Sequence, residues 1–115
     1  MTEKNTTHNI QTVDFWLSVV FLNPGEFRDD FKFWLADNGH IYKEFESLSL
    51  QIASRRQHYS ARTIVEKMRF DMAVRESGSS FKINGNFVPC LARLFALLHP
   101  IYASLFEFRE HKAAA

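Results

Sequence analysis

The sequence predicts an α+β fold that is mostly α: four or five helices and a small two-stranded antiparallel sheet, loosely winged-helix-like. Three observations predict it. Apolar residues recur at helical spacing over several stretches. Leu105-Phe106-Glu107-Phe108-Arg109 alternates apolar and polar, as a strand does. Phe81-Lys82-Ile83 alternates as well, just ahead of an Asn84-Gly85-Asn86 corner. Residues 81–83 are expected to pair with 105–109, since two short strands flanking one helix hide their backbone edges against each other.

In chain order, residues 1–11 are polar and aperiodic and are expected to form a flexible tail. Residues 12–110 read as one globular domain, and 111–115 as a C-terminal tail whose Ala113-Ala114-Ala115 looks like a vector remnant. Thr12 to Leu22 is apolar on too many faces for a surface helix, so it is either buried centrally or laid against a partner chain. Phe15, Trp16 and Val20 there, with Trp34, are the candidate partner or dimer contacts. Asn23-Pro24-Gly25 ends that segment.

Phe27, Phe31, Trp34 and Leu35 form the next helical stripe, and Asp37-Asn38-Gly39 breaks it, with Asp37 or Asn38 available as a cap. Ile41, Phe45, Leu48 and Ile52 mark an amphipathic helix to about Ser54. Arg55-Arg56-Gln57-His58-Tyr59 is a basic connector. Ser60 is placed to cap a third helix, whose apolar face is Ala61, Ile64, Val65, Met68 and Met72. Its outer face offers Arg62–Glu66, Lys67–Asp71 and Asp71–Arg75 at i, i+4 spacing. Ser77-Gly78-Ser79-Ser80 stops it, with Gly78 suited to a left-handed end. Asn84-Gly85-Asn86 tolerates positive φ, and Pro89 suits a helix's first turn. Leu91, Leu94, Phe95 and Leu98 make the buried stripe of the last helix, which ends at His99-Pro100.

At 115 residues, 46% hydrophobic, the chain can bury a core without disulfide or metal. Its twelve phenylalanines are explained by how few rings fill a small core, or else by an aromatic contact surface. Cys90 is the one cysteine, so no internal disulfide is available and a reducing compartment fits. No apolar signal core or membrane-spanning run occurs, and a soluble, cytoplasmic protein is expected.

The net charge of +1 hides an uneven distribution. Residues 1–50 hold four Lys/Arg against eight Asp/Glu, a balance of −4, while residues 51–93 hold eight against three, a balance of +5. Such asymmetry marks either a surface for an anionic partner or an acidic half folded over a basic one.

Several of these stretches together resemble a family of small phage, prophage and mobile-element proteins. The residues are Asn38-Gly39-His40-Ile41-Tyr42, Ser60-Ala61-Arg62-Thr63-Ile64-Val65-Glu66, Phe81-Lys82-Ile83-Asn84-Gly85-Asn86, Ala92-Arg93-Leu94, His99-Pro100 and Phe106-Glu107-Phe108-Arg109. The family often has Pro where this chain has Gly39, and the likeness runs over about residues 31–110. It implies a mobile-element origin and a bacterial host cytoplasm, and it carries no chemistry with it.

Catalysis is not expected. Cys90 lies in an apolar helix beside Pro89 and Leu91 and reads as a buried thiol. His8, His40, His58, His99 and His111 are scattered without metal-ligand spacing, and the four glycines form no phosphate loop. No metal or cofactor is expected, and no membrane contact. The function expected first is a non-enzymatic phage accessory protein touching DNA backbone through a basic patch in residues 55–75. Arg55, Arg56, His58, Arg62 and Arg69 would meet phosphates, with Lys82 and Arg93 nearby. The alternative is a non-enzymatic inhibitor or adaptor that binds a host or phage protein, and a homodimer through the apolar 12–22 segment is a further candidate.

Overall fold

Helical periodicity and its punctuation produce five helices in the computed structural model, which describes residues 2–75 and 83–107, with side chains from residue 12. They are α1 (Thr2–Leu22), α2 (Phe31–Asp37), α3 (Gly39–Ala53), α4 (Ala61–Arg75) and α5 (Val88–Leu98). Short 3-10 turns at Pro24–Glu26, Gly85–Phe87 and Pro100–Tyr102 connect them.

α5 is the hub. Pro89 sits in its first turn, where a missing N–H leaves no bond unmade. Leu91, Leu94 and Phe95 are fully enclosed, and α1, α3 and α4 all pack against the helix. α1 is fixed to α3 by Trp16, whose ring meets Tyr42 edge-on at 4.7 Å. The two helices approach at Gly39, where a Cβ would stand 2.8 Å from Val13 Cγ2. Phe31 of α2 lies 5.5 Å from Phe27 and 5.6 Å from Phe87, tying the front of the chain to the start of α5.

The expected sheet is absent: the described residues are all helical or irregular, so neither the α+β class nor a winged helix holds. A strand with one face in solvent sends successive side chains to opposite sides. Leu105 and Phe106 are instead buried in succession, at 2% and 3% exposure. Phe106 packs between Phe45 (5.6 Å) and Phe95 (5.5 Å), as a plug over α3 and α5. The backbone groups that would have paired have other partners. The Leu105 carbonyl accepts from Tyr59 N–H at 2.9 Å, and the Ile83 carbonyl accepts from Arg69 Nη2 at 2.7 Å. Phe81, Lys82, Phe108 and Arg109 lie outside the described residues, as do Gly78 and residues 111–115.

Two local expectations also change. Asn38 precedes α3 without capping it, and its side chain turns back to donate to the Trp34 carbonyl at 2.9 Å, closing α2. The Asn84–Asn86 corner uses no left-handed residue at Asn84, whose φ is −59°. Asn84 Oδ1 accepts from Asn86 N–H at 2.9 Å, a side chain standing in for a turn.

Candidate nucleic-acid interface

The connector between α3 and α4 is too polar to bury, so its backbone is fastened from the side. His58 Nδ1 lies 3.1 Å from the Ser104 carbonyl, which accepts its proton, and Tyr59 N–H donates to Leu105. Ser60 Oγ then accepts from Thr63 N–H at 3.2 Å and starts α4, as its position in the sequence requires. Arg55 and Arg56 leave the end of α3, and Arg62 leaves the first turn of α4; all three are exposed.

None of these three guanidinium groups has an ion-pair partner among the described residues. The i, i+4 pairing expected along α4 explains part of this by its failure. Lys67–Asp71 forms, at 3.0 Å. Glu66, however, turns to Arg69 at 2.8 Å rather than to Arg62, and Arg75 reaches Glu44 at 3.6 Å rather than Asp71. Arg62 is thereby left to solvent.

Beside the connector runs an open groove of about 920 Å³, between the start of α4 and the start of α5. Arg28, Arg62, Arg93 and His58 line it, and Glu107 is its acid. A smaller hollow of about 290 Å³ shares His58 and adds Arg56. A third, also about 290 Å³, lies against Tyr59 and holds Arg55 and Lys67. Five of the positively charged or protonatable residues thus form a band from Arg56 through His58, Arg62 and Arg93 to Arg28.

The remaining expected contacts divide. Arg69 is committed on both sides, to Glu66 and to the Ile83 carbonyl. Arg93 is mostly covered, with Nε 3.7 Å from Glu26 Oε1. Lys82 lies outside the described residues. Arg28 was missed, because it stands in the acidic part of the sequence and only the fold brings it here. Its guanidinium bonds both oxygens of Asp30 (3.1 and 3.3 Å) and sits 5.9 Å over the Phe87 ring. Those hydrogen bonds hold the Asp30 carboxyl below the usual carboxylate range and raise the arginine correspondingly.

The candidate partner contacts also divide. Trp16 and Val20 are buried in the core, Trp34 is half-buried against Phe31 and Phe87, and Phe15 is exposed. Cys90 is enclosed, and burial pushes its thiol up, away from the reactive thiolate. No cluster of three or more His, Cys, Asp or Glu able to hold a metal occurs among the described residues. No described helix is long and apolar enough to cross a membrane. Comparisons with protein families, with curated proteins and with solved structures find no match for the chain.

Proposed function

We infer that the protein is a non-enzymatic accessory factor, of mobile-element type, that contacts nucleic acid through the phosphate backbone. One observation carries the reading: Arg55, Arg56 and Arg62 face solvent with no ion-pair partner among the described residues, although the chain holds nearly equal numbers of each charge. The acidic front of the chain takes Arg75 and Arg93 and leaves the connector uncovered. The first-turn amides of α4 add a partial positive charge beside Arg62.

Backbone contact without base reading fits the helices. α5 is enclosed by the core and cannot enter a groove, and α4 presents Glu66 and Asp71 among its cations. Affinity should therefore depend steeply on salt and weakly on sequence. Fluorescence anisotropy with a short labelled duplex tests this. A log–log slope of about −3 is expected if each of the three arginines neutralises one phosphate. Replacing Arg55, Arg56 and Arg62 together by Ala should abolish binding while leaving the helical circular dichroism intact. Absence of DNA retention at low salt, or a triple variant that binds as the parent does, would overturn the reading.

A further inference from the structure

The core claims only one side of α1. Trp16 and Val20 point inward, and the opposite side shows Asp14, Phe15, Ser18, Phe21 and Leu22 to solvent. Phe33 of α2 continues the patch, and Lys32 Nζ lies between the rings, 5.3 Å from Phe21 and 5.4 Å from Phe33. Phe15, Phe21 and Phe33 are 57%, 61% and 68% exposed, and Leu22 is 79% exposed. At about 200 Å² for an aromatic side chain, the four leave roughly 500 Å² of apolar surface open on each copy. A pair of such faces would remove about 1,000 Å², the lower bound for specific association.

The order of residues on this face says what covers it. Ser18 is central, Phe15 and Phe21 stand three residues to either side, and Asp14 and Leu22 four. Ser18 is small, and its hydroxyl already donates to the Phe15 carbonyl at 2.7 Å, so a neighbour can close over it without stranding a polar group. An antiparallel copy of the same helix, crossing at Ser18, sets each Phe21 against the partner's Phe15. It also sets Lys32, which lies beside Phe21, near the partner's Asp14. Neither Asp14 nor Lys32 has an ion-pair partner among the described residues. A face that matches itself under two-fold rotation, in shape and in charge, fits a second copy better than an unrelated surface. We propose that the protein is a homodimer whose two α1 helices cross antiparallel at Ser18.

Sedimentation equilibrium on the full chain tests this. The expected species is twice the 13.4 kDa chain mass. Ser18→Arg puts a long charged side chain at the crossing and should weaken the dimer at least tenfold, with unchanged helical circular dichroism. Asp14→Lys and Lys32→Glu should each weaken it severalfold, and the two together should restore it. A chain that stays monomeric at high concentration overturns the proposal, even if the face is then found to hold a different protein. So does a dimer indifferent to Ser18→Arg, and a charge exchange without recovery overturns the antiparallel register.

Discussion

Glu66 has two arginines within reach along α4, Arg62 four residues before it and Arg69 three residues after. Its choice of Arg69 has a reason that spacing within a helix does not contain. Arg69 Nη2 is already anchored on the Ile83 carbonyl, so its guanidinium is held in place and adding Glu66 costs little further ordering. Arg69→Ala should lose about 2 kcal/mol, because the carbonyl of a buried residue loses a charged donor. Thermal denaturation should show this as a clear fall in Tm, while the salt dependence of DNA binding stays as in the parent. Arg62→Ala should do the reverse. At the same scale, burial, then the nearby Glu46 carboxylate, pushes the Tyr42 phenol far above its ordinary value of 10.0. The folded state thus keeps a proton that the unfolded chain releases. The stabilisation from this difference is full below pH 10 and is lost as pH rises above it, by about 1.4 kcal/mol per pH unit. In an alkaline ultraviolet titration, Tyr42 should ionise only together with unfolding.

Among the elements, α2 to α5 were legible because each carries a stripe of several apolar residues, with Asn38-Gly39 and His99-Pro100 among the stops; α1 was not read in full, since it begins at Thr2, within the stretch expected to be a tail. The Ser60 cap was legible too, since α4 begins one residue after it. The strands were not, because a run of three to five residues gives alternation little to average over. Phe106-Glu107-Phe108-Arg109 satisfies the pattern on paper, while Leu105 and Phe106 are both buried and Phe106 fills the gap between Phe45 and Phe95. The close approach of α1 to α3 at Gly39 was equally hidden, since no spacing rule joins Val13 to a residue so far along the chain. Gly39→Ala tests it. Alanine favours a helix by up to about 1 kcal/mol, but its methyl would press on Val13, whose branched side chain has little rotamer freedom. Overpacking typically costs 1–3 kcal/mol, so a net loss of about 1 kcal/mol is expected on denaturant titration. Val13→Ala in the same background should recover part of it.

For the molecule as a whole, a count of charges left two readings open, an acidic half folded over a basic one or a surface for an anionic partner. Acidic residues cover part of the basic stretch and leave part of it exposed. Glu44 and Glu26 cross over to Arg75 and Arg93, at the far end of α4 and on α5, while the connector lies beyond their reach. Arg28 travels the other way, from the acidic front to the groove. Charge segregation along the sequence was therefore a guide to the presence of a basic face, and only packing could decide which arginines belong to it. Phenylalanine usage has the same double character. Six of the ten described rings are in the core, and Phe15, Phe21, Phe33 and Phe70 are outside it.

The two bonds from Ser104 and Leu105 to the arginine-bearing connector give the C-terminal end of the chain a hold on a distant part of the surface. Trimming the protein after Tyr102 would leave every arginine of the band and all five helices in the sequence. It would remove both acceptors, together with the Leu105 and Phe106 plug. Amide hydrogen exchange at Tyr59 should then quicken, and the cations of the band would sit on a loosened tether where they now form a preset row. Stiffness in that row is thus supplied from the other end of the polypeptide.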